Sequence, residues 1–327
     1  MTAPPSYLDL LKAVDNFPYI DISSTPYVED ANLAFYRLLL PNDSRTHGYI
    51  RPSIVRKLTW PPAFQIKHNI PRTVQLLDDS NGKDTAAACN RAFYEVIENA
   101  VKDKTFPFLT SMQWENYRLM GANYETVQML RSASRLFGIA SRGAHMTAYV
   151  RTNNGMKIWV GRRSAHLITY PGMLDTTVAG GVRAEESPFE CIVHESAEEA
   201  SIPADYVREN AKAVGAISYI AKGSAADAES SSLLIPVVLY NYDIELPEHI
   251  VPKPEDDEVE EFYLWDVEQV KKAMISRQFK TNCAAVMIDF FVRHGIITDE
   301  NEVDYLDIVT RLHRTLPVAT ASSQRAD

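Results

Sequence analysis

Residues 1–140 read as one α/β unit from their hydrophobic pattern. Tyr7 to Val14 has the spacing of a short amphipathic helix. Thr85 to Lys102 predicts a longer one, with Ala88, Ala92, Val96 and Ala100 at i+4 intervals. Leu33 to Leu40 is an apolar run that fits either a strand or a helix. Pro52, Pro61, Pro62 and Pro71 interrupt the middle of the unit, and Asn81-Gly82 marks a turn. Near Phe137 to Gly143 the pattern changes, and from His145 it becomes strand-like. Two apolar-rich runs around Asn153-Asn154-Gly155 predict a β-hairpin. Val178 and Ala179 end a short strand. Ala213 to Ile220, Leu233 to Ile244 and Phe262 to Trp265 read as further strands, with a Ser/Ala-rich loop at 223–232. Asp266 and Gln269 form a capping-box pattern for a helix reaching about Ser276. Asn282 is placed to cap an apolar helix that stops at Gly295. Asn301 to Leu316 looks helical, and the last nine residues read as a disordered tail. Strand, loop, helix, further strands and a closing helix predict a mixed sheet packed between helices.

One stretch of this second region carries chemistry. Gly180 to Ile202 reads GGVRAEESPFECIVHESAEEASI. Ser187, Pro188 and Glu190 give a helix start with the pattern of a capping box, and Ser201, Ile202 and Pro203 give its end. On that helix Glu195, Glu198 and Glu199 share a face, because i, i+3 and i+4 coincide at 3.6 residues per turn. Phe189, Val193, Ser196 and Ala200 lie roughly opposite and predict the core side. A rigid helix thus presents three carboxylates beside a glycine pair, where something can approach the backbone closely. Hard oxygen ligands of this kind suit Mg²⁺. Taken alone, an E-x-x-E-E run is as compatible with a solvated acidic face.

Composition narrows the classes. The chain has 327 residues, enough for two domains, and 46% of them are hydrophobic. A net charge of −10 argues against a general nucleic-acid or membrane-surface binder. No apolar run is long enough to span a bilayer, and the first residues lack a basic, apolar leader pattern. Cys89, Cys191 and Cys283 lie far apart and predict reduced, mostly buried thiols, so a cytoplasmic or nuclear setting is expected.

The acidic stretch resembles the Nudix box, G-x5-E-x7-R-E-U-x-E-E-x-G-U with U aliphatic. Gly180 takes the opening glycine, Glu186 the first glutamate, Glu195 the second, Glu198 and Glu199 the paired glutamates, and Ile202 the last aliphatic site. The departures are His194 for arginine, Ser196 for the aliphatic residue and Ser201 for glycine. The resemblance implies hydrolysis of an organic diphosphate. It also implies that Glu195, Glu198 and Glu199 hold Mg²⁺, with Mn²⁺ as the alternative ion, together with the Gly180 carbonyl. The family's arginine orients a glutamate through a salt bridge. His194 can do so only more weakly or when protonated, which implies an altered rate and the same chemistry.

The similarity is wider than the box. SRGAHMTAYV, KIWVGRRS, TYPGMLDTTVAGG, EEFYLWDV and Phe279 to Ile296 resemble one eukaryotic Nudix subfamily. That subfamily is similar to the N-terminal part of certain fungal thiamine pyrophosphokinases. It implies a Nudix-type α/β/α sandwich over residues 141–297, preceded by a smaller α/β domain at 1–140 and followed by a C-terminal helix and tail at 298–327. No kinase segment is expected. The implied substrate is thiamine diphosphate or its oxo and oxy damage products, cleaved to the monophosphate and phosphate. Alternatives are a prenyl, sugar or oxidised nucleoside diphosphate, or a non-catalytic diphosphate sensor. Isopentenyl diphosphate isomerisation is disfavoured, because no cysteine is suitably placed.

Outside the box, Glu258 is the expected further glutamate, as metal ligand or as base for water, with Glu261 second. The rest of the acidic run from Glu255 to Glu261 reads as solvated loop. Arg162 and Arg163 follow a strand and could grip phosphate bidentately. Alternation puts them on opposite faces, so at most one does so. Arg142 and Lys222 are further candidates. Trp114, Tyr117 and Tyr124 either stack on an aromatic substrate ring or pack between domains. His145, His166, His249 and His294 lack metal-ligand spacing and read as ordinary core or surface residues. The expected partner is a small diphosphate, without nucleic acid or membrane, and a homodimer is left open.

Overall fold

The computed structural model describes residues 4–19, 34–110, 115–223 and 233–323. Trp114 and residues 224–232 of the Ser/Ala-rich loop lie outside them. The chain opens with α1 (Tyr7–Val14), at the expected span, with a complete capping box between Ser6 and Asp9. There follow β1 (Tyr36–Leu39), β2 (Gly48–Ile50), α2 (Pro52–Lys57), β3 (Phe64–Lys67), β4 (Thr73–Leu76) and α3 (Thr85–Lys102). Within the undecided run at Leu33 to Leu40, Tyr36–Leu39 is strand β1, which pairs with β2 on one side and β4 on the other. The order is β2-β1-β4-β3, with β1 and β4 parallel. Asp84 caps α3 by accepting the Ala87 N–H. The buried stripe of α3, from Ala88 through Phe93 to Ala100, covers the sheet at Leu38, Ile50, Val74 and Leu76. A two-stranded ribbon, β5 (Asn116–Arg118) and β6 (Gln128–Leu130), and the single turn α4 (Ser134–Phe137) lead out of this region.

The second region is the expected mixed sheet between helices. Its strands are β7 (Ser141–Thr152), β8 (Gly155–Arg163), β9 (Leu174–Asp175), β10 (Val178–Gly181), β11 (Lys212–Lys222), β12 (Leu234–Glu245) and β13 (Val259–Asp266). The backbone of the sheet runs β11-β12-β7-β8-β13, with β7 and β12 parallel and the other pairs antiparallel. Strand alternation sorts β7 between two layers. Ala144, Met146 and Ala148 pack with α5 (Pro188–Ala200) and α6 (Ala204–Asn210). Tyr149 faces the other layer, made by α7 (Val267–Ile275), α8 (Thr281–Arg293) and α9 (Tyr305–Leu312). Asp266 and Gln269 make the capping box expected for α7.

Three boundaries differ from expectation. Asn282 is inside α8, not its cap; Lys280 takes that position without a side-chain bond, and the Asn282 amide lies 3.5 Å from His145. Gly295 does follow the helix with φ 65°, the left-handed conformation that ends it. Residues 301–316 are helical only over Tyr305–Leu312, because Asn301 ties a turn by accepting the Thr298 N–H and donating to the Ile296 carbonyl. The described part of the tail is fastened: Ala319 N–H donates to the Thr46 carbonyl, and Arg45 donates to the Ala321 carbonyl.

Packing crosses residue 140 in both directions. Leu8, Leu11 and Val14 of α1 share a core with Met287, Phe290 and Phe291 of α8. Asp15, just after α1, accepts from Arg311 at 3.0 Å and Arg314 at 2.7 Å. Leu233, just before β12, is part of the N-terminal core.

Candidate active site at the glycine turn

The β7/β8 hairpin pairs only from Tyr149–Ile158 to the Asn153-Asn154 turn. Beyond it β8 diverges, and β10 takes its place beside β7, with Gly180 opposite Ala144. This brings the glycine turn against α5. A Cβ added at Gly180 would lie 2.2 Å from Glu195 Oε1 and 2.5 Å from its Cδ. The Glu195 carboxyl therefore rests on bare backbone, and only glycine leaves room for it. Glu199 Oε2 accepts the Ala179 N–H at 3.2 Å. Ser187 caps α5 and Pro188 opens it. Glu190 does not complete the capping box: it pairs bidentately with Arg208 at 2.6 and 2.7 Å, because two guanidinium bonds outweigh one backbone N–H.

The three helix glutamates share a face but not an environment. Glu198 is exposed, Glu195 half-buried, and Glu199 only 7% exposed. Burial, then the charges of Glu198 and Glu258, push Glu195 up to about 7, against the pull of Arg183. Burial and then Glu195 and Asp175 drive Glu199 well above the carboxylate range, against its bond from Ala179. Glu258 is felt by both, so the structure brings it to the cluster; its carbonyl accepts the Ser164 N–H beside the end of β8. Glu261 sits opposite Arg162 on the β8–β13 ladder, exposed. Crowded hard-oxygen donors, in no ion pair among the described residues and cradled on a glycine, fit a divalent cation.

The altered box positions are absorbed locally. His194 Nδ1 lies 2.6 Å from Glu186 Oε1, so the histidine holds the glutamate, though with charge only when protonated. Ser196 is fully buried where an aliphatic residue belongs, and its hydroxyl donates back to the Ile192 carbonyl at 2.5 Å. Ser201, in the motif's glycine position, adopts φ 52°. Its hydroxyl lies 2.8 Å from the Glu255 carboxylate and 3.1 Å from the Lys253 carbonyl, with its one proton to donate between them, which holds a conformation that glycine would adopt freely.

The arginines are dispersed. Arg142 borders the turn, its Nη2 3.5 Å from the Glu186 carbonyl. Arg162 is held by Tyr263 Oη at 2.8 Å and the Gly172 carbonyl at 2.9 Å. Arg163 faces Asp175 at 3.4 Å and the Thr169 carbonyl. Lys222 ends β11, at the edge of the sheet. Tyr117 is buried against Gly181, and Tyr124 donates to the Pro41 carbonyl beside the N-terminal core, so both pack between elements.

His145 is buried in the core, where it faces polar partners such as the Thr176 hydroxyl. With Asp175 and Cys283 it forms a buried group whose candidate ligand atoms lie within 4.8 Å of one another. It projects from the sheet face opposite Ala144 and Met146. Lys280 and Arg163 each approach Asp175 Oδ2 at 3.4 Å. Burial lowers His145 to about 4 and raises the Cys283 thiol well above its ordinary value. The group can offer N, O and S ligands to a divalent ion, but its one carboxylate already has two cations, unlike those of α5. No sequence spacing joins these residues; only the fold does. A cavity of about 710 Å³ opens further along β7 and β12, lined by Tyr149, Tyr206, Lys212, Asp243, Arg293 and His294, and none of the box glutamates lines it.

Residues 142–283 match the family model described as the NUDIX domain. The chain is 38% identical over 212 residues to uncharacterized protein YJR142W of Saccharomyces cerevisiae, covering 63% of this chain and 62% of that protein. It is 43% identical over 183 residues to Nudix hydrolase 20, chloroplastic, of Arabidopsis thaliana, covering 56% of this chain and 46% of that protein. Nudix hydrolase 24, chloroplastic, of the same plant is 38% identical, again over 56% of this chain and 48% of the relative. The match thus spans between about half and three-fifths of these relatives' lengths. The mixed sheet, the glycine turn and the glutamate helix of this chain thus make up a NUDIX domain, in a chain related to the yeast and plant proteins.

Proposed function

We propose that the protein is a Mg²⁺-dependent diphosphohydrolase whose substrate is thiamine diphosphate or an oxo or oxy analogue of it. The observation that carries the reading is the Glu195–Glu199 pair against Gly180 and Ala179, carboxylates that no ion pair among the described residues engages. Glu195, Glu198, Glu199 and the Gly180 carbonyl would hold the metal. When bound, Mg²⁺ supplies charge neutralisation at the diphosphate oxygens and acidifies a water. Glu258, exposed and electrostatically coupled to the cluster, takes the proton from the attacking water at its carboxylate. Water oxygen bonds to one phosphorus and the bridging P–O bond breaks, giving the monophosphate and phosphate. Glu186, held by His194, lines the start of α5 and keeps that end of the helix in register with the turn. The thiamine moiety rests on the subfamily resemblance of the flanking segments.

The test is phosphate release from a panel: thiamine diphosphate, its oxo and oxy analogues, ADP-ribose, 8-oxo-dGDP and farnesyl diphosphate, each with Mg²⁺ or Mn²⁺. The expected outcome is highest kcat/KM on an oxidised thiamine diphosphate. Faster turnover of a prenyl, sugar or nucleoside compound would reassign the substrate. Saturable binding without release from any compound would replace the enzyme by a sensor.

A further inference from the structure

The N-terminal region reaches the glycine turn through its β5–β6 ribbon. The Ala184 N–H donates to the Asn116 carbonyl at 2.8 Å, which ties the box loop to β5. A Cβ added at Gly181 would lie 2.9 Å from Tyr117 Oη and 3.1 Å from Arg131 Cζ and Nη1. The guanidinium of Arg131, one residue past β6, therefore lies on the turn next to the glycine that cradles Glu195. It sits over the Tyr117 ring at 5.5 Å, and Tyr117 is only 8% exposed. Arg131 Nη1 donates to Glu115 Oε2 at 2.6 Å, and Glu115 also meets Arg183 at 3.5 Å. Arg131 keeps 41% of its side chain open, and Glu115 keeps 34%. It is thus a planar five-donor cation on a rigid aromatic seat, only partly satisfied by one carboxylate, at the edge of a carboxylate cluster suited to a metal.

We propose that Arg131, with Tyr117 as its seat, is a substrate-binding residue that grips a diphosphate oxygen from the N-terminal side, so that residues 115–131 complete the active site of the Nudix domain. The assignment rests on the functional reading above for its ligand class. In the free protein Glu115 occupies one edge of the guanidinium. A metal-bound diphosphate at the turn offers that edge a second, bidentate acceptor, and Glu115 and the phosphate then compete for Arg131. Arg183, more exposed and tied to the same glutamate, would be drawn the same way but lacks an aromatic seat. The resemblance of the box could not reveal Arg131, which lies outside the residues matched to the family model.

The test uses the full chain with Mg²⁺ and methylenediphosphonate, a non-hydrolysable probe, in titration calorimetry alongside the phosphate-release assay. Arg131→Ala should weaken probe binding and raise KM about tenfold, the scale of one charge-assisted bidentate contact. The Mg²⁺ concentration for half-activation and the thermal midpoint should be unchanged. Arg131→Lys should recover only part of the loss. Gly181→Ala, whose backbone φ is ordinary, should reproduce the defect by pushing Tyr117 and Arg131 off the turn. Glu115→Gln should tighten binding by freeing the guanidinium, whereas a merely structural ion pair predicts weaker binding and a lower midpoint. Wild-type probe affinity in Arg131→Ala overturns the inference and leaves the hydrolase reading intact. Arg131-dependent probe binding without release from any diphosphate overturns the hydrolase reading and leaves the inference standing. No probe binding by the wild-type chain overturns both.

Discussion

Two groups of buried carboxylates in this protein have opposite fates. On the strands and helix at the far end of the sheet, Asp243 is met by Arg293 through two bonds and by His294 at 2.9 Å, and Arg293 also reaches Asp289 at 2.8 Å. Burial works against the Asp243 charge, but those bonds hold it below the usual range. In the N-terminal region Asp43 is likewise held to about 2, its burial overcome by Arg45 and His47. On α5 the pull of Arg183 on Glu195 and the Ala179 N–H bond to Glu199 do not overcome the same burial, and both carboxyls are pushed up. The fold has arginines to spend and places them at the structural carboxylates. Where no ion pair forms, the proposed function draws the partner from solution, and that would distinguish a site from a brace.

The largest test of this contrast is Glu198→Gln and Glu199→Gln. Each should lower turnover at least about a thousandfold, some three steps of 1.36 kcal/mol in the barrier, while circular dichroism stays native. Wild-type rates in both would end the metal reading. Next, Asp243→Asn breaks a paired group and should cost about 3 kcal/mol in urea unfolding with no direct effect on turnover. Gly180→Ala should cut kcat about a hundredfold by displacing the Glu195 carboxyl, with KM little changed, read by steady-state kinetics. Mg²⁺ at a hundred times its Kd should stabilise the wild type by about 2.7 kcal/mol in chemical unfolding, and Glu199→Gln should lose most of that gain. The most gradual effect is on pH. Glu195 is raised from an ordinary 4.5 to about 7, so metal-free protein should lose stability as pH rises through that window. Asp43 has the opposite sign: its contribution stands above the ordinary 3.8 and is lost as pH falls toward about 2. Comparing unfolding midpoints of wild type with Glu195→Gln and with Asp43→Asn across pH isolates the two slopes.

The helix with its three glutamates was legible because both signals are local: a 3.6-residue period and a cap at Ser187. The hairpin, the helix at Thr85–Lys102 and the capping box at Asp266 were legible for the same reason. The ambiguous run before Leu40 was settled only by its two strand neighbours, which no local pattern contains. Glu190 and Asn282 show the converse. Each has the residue type for a cap, but Arg208 and His145, brought near by tertiary packing, offer other partners. The buried group of His145, Asp175, Lys280 and Cys283 and the approach of Arg131 to Gly181 join distant segments through sheet order, so they had no signature along the chain.

The first helix has a practical consequence for anyone who wishes to isolate the NUDIX domain. Leu8, Leu11 and Val14 cover Phe290 and Phe291, and Asp15 anchors Arg311 in the last turn of α9 and Arg314 just beyond it. Cutting the gene at the border suggested by similarity would strip that lid from the far layer and leave a greasy, charge-orphaned face to aggregate. A workable excision has to carry the opening segment along, tethered or supplied in trans.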